Sequence, residues 1–319
     1  MKNLLRLARE LCQDPATDPA ASRDDDPRLG TLLGLPLPGR TARTALIGFP
    51  CDLGVIRNGG RAGAHLGPAA IRAQLYRMTP DCRCHDVMLG VLENSLDLGD
   101  VQVNESLETA QQHLGRLVGA SLRAGVIPIV LGGGHETAFG HFLGYVDADQ
   151  PIHIINTDAH ADVRPLVSDG GHSGSPFRQA LEHPSGHCRS YGVMGLQPQS
   201  NAKAYIDFLA EKACRRQFAA DTDRGVIESM FDDCDGPAWA TFCLDALDQS
   251  LAPGVSAPAG NGLHLDQWLA AIDYAAASTH VCSFDIVELS PPFDRNHQTA
   301  RIAALSVWRI LRGIANRDR

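Results

Sequence analysis

Nothing in the 319-residue chain approaches the run of about 18 apolar residues that a membrane-spanning helix needs. Positive charge is in deficit: 28 Lys and Arg against 37 Asp and Glu leave a net charge of −9. That balance argues against nucleic acid or an anionic membrane as partner, while a small anionic substrate could still be held by a local arginine. Cysteine is too thin for a disulfide scaffold: nine residues, an odd number, are scattered at positions 12, 51, 82, 84, 188, 214, 234, 243 and 282, so a reducing cytoplasm is the expected setting. Cys82-x-Cys84-His85 has no second half at zinc-finger spacing and reads as ordinary cysteines. The N-terminal MKNLLRLARELCQD is broken by Arg6, Arg9 and Glu10, so no secretory leader is expected there. There is no G-x-S-x-G elbow for serine-hydrolase chemistry and no G-x-x-x-x-G-K-[ST] phosphate loop.

What is present is ordinary globular material, 44% apolar and 20% charged, which excludes a disordered, collagenous or coiled-coil chain. Residues 1–43 read as a lead-in that wraps or dangles, with Asp24-Asp25-Asp26 followed by Pro27, Gly30, Gly34, Pro36, Pro38 and Gly39. From residue 44 to 319 the pattern is that of a single domain. Short apolar runs predict buried parallel strands at Ala45–Phe49, Val126–Leu131, Ile152–Thr157, Ala240–Leu244 and His280–Val287. Helical spacing fills Gly67–Arg77, Glu105–Ala124, Glu136–Val146, Ala202–Cys214, Leu265–Ala277 and His297–Ile314. The alternation predicts a three-layer α/β/α fold with a mostly parallel sheet, and in such sheets ligands bind at the carboxyl ends of the strands.

The loops after the strands are rich in Asp, His and Gly. The segment 154–164, IINTDAHADVR, runs from an apolar strand into Asp158, His160 and Asp162 at spacing i, i+2, i+4. If strand geometry continues, these share one face. Two carboxylates and an imidazole are costly to bury unpaired, and a bound cation removes that cost; a solvated polar loop is the alternative. In the segment 129–136, IVLGGGHE, the glycines permit a tight strand-to-helix turn, and His135 becomes a candidate ligand beside the first cluster. The segment 241–258 places Cys243 and Asp245 two apart on one strand face, with Asp248 in the turn beyond. In the segment 280–294, Asp285 and Glu288 lie near a strand end closed by Pro291-Pro292, where a carboxylate would bind a cationic substrate group or cap the following structure. Oxygen-rich sites with some imidazole suit Mn²⁺, and so many ligands imply two metals about 3.5 Å apart sharing a hydroxide.

In this order GGGHE, DAHAD, the Cys243–Pro258 segment and DIVELSPPFD resemble the ureohydrolases, the arginase, agmatinase and formimidoylglutamase superfamily, over roughly Arg43 to Gly313. The segment Arg57–Arg72 looks like that family's stretch before its first long helix. The resemblance implies an arginase-like domain with two Mn²⁺: His135 and Asp162 on one ion, His160 and Asp245 on the other, Asp158 bridging. Glu288 matches the carboxylate that orients a guanidino or amidino group, and His172 looks like the family's mobile, proton-shuttling histidine. Where the family usually carries D-x-D, this chain reads Cys243-Leu-Asp245. A sulfur at the bridging position implies one weakly held metal or a changed metal preference. GGGHE and Arg164 are similar to formimidoylglutamase, with Arg164 pairing a substrate carboxylate or, alternatively, Asp169. The implied reaction is hydrolysis of N-formimidoyl-L-glutamate to L-glutamate and formamide in histidine degradation, by a cytoplasmic enzyme that could form a homo-oligomer, as family members usually associate. Another ureohydrolase, agmatinase- or guanidinobutyrase-like, and a non-catalytic relative with an impaired metal site are the other readings.

Overall fold

The structure, a computed structural model, describes residues 1–18, 21–23, 25–34, 42–103, 106–168 and 170–317. Asp24, the stretch with Pro36, Pro38 and Gly39, Glu105 and Asp169 lie outside the described residues. In chain order the strands are β1 (Cys12–Gln13), β2 (Thr44–Phe49), β3 (Ser95–Val101), β4 (Ile127–Gly132), β5 (Ile152–Thr157), β6 (Cys188–Leu196), β7 (Arg215–Phe218), β8 (Ala238–Cys243) and β9 (Val281–Val287). They form one sheet in the order β1-β3-β2-β4-β9-β8-β5-β6-β7. Every pairing is parallel except that of β1 on β3.

The central strands are continuous apolar runs because both faces are covered; every residue of β2 and of β8 is buried. On one face Leu46, Ile129, Ile155 and Phe242 join a core with helices Gly67–Leu75, Leu265–Ala277 and Gln298–Ala315. The residues that alternate with them point the other way: Ile47 and Val130 meet helix Leu107–Arg123, while Ile154 and Trp239 meet helix Thr137–Asp147. The result is the three-layer α/β/α arrangement expected from the sequence. The lead-in wraps rather than dangles in its first part: helix Lys2–Leu11 buries Leu4, Leu7 and Leu11 against Ile47, Phe49 and Leu114. No helix among the described residues is long and apolar enough to cross a membrane.

Four strands escape the apolar-run pattern: β1, β3, β6 and β7. In β3 the interruptions have a partner. Arg72, with no exposed surface, donates to both Asp97 carboxylate oxygens at 2.9 Å and to Asp100 at 2.5 Å, and Tyr76 Oη donates to Asp97 at 2.6 Å. The cluster is fitted so closely that a Cβ on Gly48 would lie 1.7 Å from Asp100 Oδ1. The predicted helix Ala202–Cys214 is shorter, Lys203–Glu211, because Ala213 turns with φ 54° into β7. Replacement of Arg72 by Ala leaves two buried carboxylates without a counter-charge and should destabilise the fold by about 3–5 kcal/mol, read as a lower urea midpoint.

Candidate metal centre

Strands β4, β9, β8 and β5 are consecutive in the sheet, and each releases its candidate residues at its carboxyl end. After β4 the chain must pass so close to the β2 loop that a Cβ on Gly133 would lie 1.9 Å from the Cys51 carbonyl oxygen. This close approach is what the glycines allow, and it swings His135 inward. After β5 the chain stops being a strand at Thr157, so strand alternation does not align Asp158, His160 and Asp162 as expected. A turn does it instead: Asp158 Oδ1 accepts from the His160 amide at 2.7 Å, and Asp162 adopts φ 48°. Asn201 secures this turn, accepting from the Ala161 amide and donating to the Ala159 and Gln197 carbonyls, each at 2.8 Å. Glu288 follows β9 with φ 69°, its amide donating to the Gly133 carbonyl at 2.8 Å. Left-handed backbone at two non-glycine residues of one site is strain of the kind found where side chains must converge.

The donor atoms fall into two groups that share Asp158. His135, Asp158 and Cys243 form one; Asp158, His160 and Asp245 form the other; within each group the ligand atoms lie within 4.8 Å of one another. His135 Nδ1 lies 2.9 Å from Asp158 Oδ2 and 3.0 Å from Asp162 Oδ2, yet neither contact has hydrogen-bond alignment. His160 Nδ1 is 3.1 Å from Asp245 Oδ2 and 3.5 Å from Asp158 Oδ1. Cys243 Sγ is 2.8 Å from Asp245 Oδ1. A buried nitrogen facing two carboxylate oxygens without bonding either, in a set of oxygen and imidazole donors with a shared carboxylate, fits a pair of divalent cations.

Electrostatics point the same way. Burial, followed by the charges of Asp245 and Glu136, pushes the Glu288 carboxyl well above its ordinary range. Burial and then Asp158 raise Asp162 and Asp245. Burial, then Asp158, Asp245 and Glu288, push the Cys243 thiol well up. Burial works against charging His135, but Asp158 and Asp162 outweigh it and hold this imidazole well above its ordinary value. So many acids crowded out of water favour any cation that can join them.

The centre forms the floor of a cavity of about 170 Å³, whose wall includes Asn58, Arg164, Ser173, Ser256 and Glu288. Glu288 Oε1 accepts from the His135 amide at 2.8 Å, while its buried Oε2 has no partner. Arg164 donates from Nη1 to Asn58 Oδ1 at 3.0 Å, and Asn58 donates to Ser173 Oγ at 3.1 Å. A larger groove of about 560 Å³ beside Ile227, Leu269 and Tyr274 has no convergent donors, and its Arg224 and Arg309 already pair with Glu228 and Asp273.

Two sequence candidates, His172 and Asp285, are not brought to the cavity. The His172 ring is locked between backbone groups, its Nδ1 accepting from the Gly174 amide at 3.1 Å and its Nε2 lying 3.0 Å from the Pro165 carbonyl oxygen. Burial, with the charges of Arg164 and Arg57, holds it below its ordinary value. Here it braces the loop and does not face the centre. Asp285 is fully buried and accepts from Thr241, Trp239 and His141, so it neither meets a substrate cation nor caps a helix. Asp248 lies in the turn beyond β8, as expected, where its carboxylate accepts from the Ser250 amide and hydroxyl. Four residues that the sequence reading passed over do matter: Asn58, Thr241, Asn201 and Glu136. Burial pushes the Glu136 carboxyl up to about 7, and its Oε1 accepts from the Gly54 amide at 2.8 Å. The only signal for Glu136 was its place in GGGHE; no periodicity marks the other three.

The arginase family model matches residues 42–312. Formimidoylglutamase of Clostridium tetani is 37% identical over 290 residues, 85% of this chain and 82% of that protein. Formimidoylglutamase of Rhodococcus opacus is 39% identical over 284 residues, covering 83% and 84% of the two chains. The crystal structure of Trypanosoma cruzi formiminoglutamase with Mn²⁺ superposes with a TM-score of 0.83 at 31% identity, over 92% of this chain and all of that one, 100%.

Because the Asn201 side chain accepts from the Ala161 amide and donates to the Ala159 and Gln197 carbonyls, Asn201→Ala should cost about 1–3 kcal/mol there, measured as faster hydrogen exchange at the Ala161 amide.

Proposed function

The chain belongs to the arginase family, and we propose that it hydrolyses N-formimidoyl-L-glutamate to L-glutamate and formamide, using two manganese ions. The observation that carries this reading is Glu288 Oε2, buried at the cavity with no partner. An acceptor so placed asks for a cationic N–H donor such as an amidinium. Across the same cavity Arg164 supplies the opposite polarity, suited to a carboxylate. A substrate with an amidinium at one end and carboxylates at the other satisfies both walls; a guanidino substrate without a carboxylate satisfies one.

His135, Asp158, Asp162 and Cys243 would hold one ion, and His160, Asp245 and the shared Asp158 the other. Manganese, when bound, supplies the Lewis acidity that makes water nucleophilic near neutral pH. Glu288 accepts from the amidinium through Oε2. Because its Oε1 is anchored on the His135 amide, it fixes the formimidoyl carbon over the centre. Asp162, on the cavity wall, takes a proton from the attacking water on its carboxylate oxygen and returns it to the glutamate nitrogen as the C–N bond breaks. This assigns to Asp162 the proton transfer that the family resemblance implied for His172, since both His172 nitrogens are engaged by backbone. Arg164, oriented by Asn58, holds a substrate carboxylate. All nine cysteines are free thiols, which supports a reducing cytoplasm as the working compartment.

Turnover by manganese-loaded protein should yield glutamate and formamide in equal amounts. Urea from a guanidino compound, with formimidoylglutamate untouched, would move the reading to another ureohydrolase, and protein that after manganese loading neither retains metal nor turns over would move it to a non-catalytic relative. A single sulfur cannot offer two oxygens to two ions, and it prefers softer metals. Cys243→Asp should therefore tighten the weaker Mn²⁺ by roughly tenfold, read by equilibrium dialysis; unchanged retention would remove the sulfur from the explanation.

A further inference from the structure

Beneath the metal centre lies a polar chain that the proposed reaction does not use. It follows from sheet register. Thr241 on β8 and Asp285 on β9 are direct partners, and Trp239 pairs with Ser283 two residues earlier; alternation puts all four side chains on one face. That face meets helix Thr137–Asp147, which contributes His141 and Tyr145. All six residues are fully buried, and none lines the cavity.

From Trp239 and Thr241 through Asp285 to His135, the directions of the hydrogen bonds follow from the donor inventory. The indole of Trp239 can only donate, and it does so to Asp285 Oδ2 at 2.8 Å, the oxygen that also lies 2.9 Å from His141 Nδ1. A carboxylate can only accept, so the Thr241 hydroxyl spends its single proton on Asp285 Oδ1 at 2.5 Å. The Thr241 oxygen is then left as an acceptor toward His135 Nε2, 3.1 Å away. Nε2 must carry the N–H. In the neutral imidazole the lone pair therefore resides on Nδ1, the atom that faces Asp158 and Asp162. His141 is itself held, stacked on Trp239 at 4.4 Å and tied at Nε2 to Ser283 at 2.8 Å. Tyr145 closes the chain on Ser283 at 2.6 Å.

We infer that Thr241 and Asp285 are positioning residues which fix the tautomer and ring plane of His135 so that Nδ1 is presented as a metal ligand. This inference rests on the metal-centre reading above. An anionic acceptor behind a ligating imidazole raises its basicity and holds its orientation, an effect worth about 10- to 100-fold in metal affinity. Here the carboxylate acts through a hydroxyl rather than directly, which makes the hydroxyl the sensitive point.

The test is Mn²⁺ binding by equilibrium dialysis, with the electron paramagnetic resonance spectrum of the bound ions, on wild type, Thr241→Val, Thr241→Ser and Asp285→Asn. Thermal midpoints of the metal-free proteins separate metal affinity from folding. The expected result is that Thr241→Val loses about 10- to 100-fold in affinity for one of the two ions, while Thr241→Ser, which keeps the hydroxyl, restores it at equal metal-free stability. Asp285→Asn, which lets an amide donate where the carboxylate accepted, should repeat the loss and serves if Thr241→Val does not fold. Equal affinity in Thr241→Val and wild type would overturn the inference, as would an equal loss in Thr241→Ser, since the methyl group and not the hydroxyl would then matter. Wild-type protein that binds no Mn²⁺ would overturn the metal-centre reading and this inference with it.

Discussion

Three acidic side chains, Asp158, Asp245 and Glu288, are buried at the ends of neighbouring strands, with the Cys243 thiol among them and the half-buried Asp162 beside them on the cavity wall. In a low dielectric such groups repel one another strongly and lose their hydration. The two imidazoles relieve part of this: His135 faces Asp158 and Asp162, and His160 faces Asp245 and Asp158. The fold keeps the acids together because each is held by its own strand or by the turn that follows it. Their convergence is thus imposed by the sheet and made tolerable by positive charge.

A centre under that repulsion needs support on every side. The turn carrying Asp158, His160 and Asp162 is tied by Asn201. The His135 amide is tied to Glu288, and Glu136 reaches back to Gly54 in the helix that precedes Asn58. Asn58 then meets Arg164 and Ser173. These are mostly bonds from side chain to backbone, which hold each loop in one conformation. The residues that face the cavity are in this way coupled to one another through the chain rather than through solvent.

Charge is handled differently at the sheet's other end of function. The Arg72 cluster with Asp97 and Asp100 also buries carboxylates, but there the guanidinium meets both of them and every contact is a hydrogen bond. That arrangement is complete in the protein alone. At the metal centre His135 Nδ1 and Glu288 Oε2 lack hydrogen-bond partners. The contrast separates a closed structural ion pair from a site built to receive something.

Much of this was legible in the chain. Continuous apolar runs revealed β2, β4, β5, β8 and β9, because strands covered on both faces need no polar residue. Clusters such as GGGHE and DAHAD stood out because acids and histidines seldom follow buried strands without a task. β3 was hidden because Asp97 and Asp100 break its apolar pattern, and their partner Arg72 lies on a distant helix. The sequence by itself determined the layer architecture and the set of candidate donors, since both are written in local pattern. Only the tertiary structure decided that β9 lies between β4 and β8, that a turn rather than a strand gathers the DAHAD residues, and that His172 faces backbone while Asp285 supports His135 through Thr241. Those outcomes depend on which strand lies beside which, and hydrogen bonds between residues far apart in the chain leave no period in the sequence.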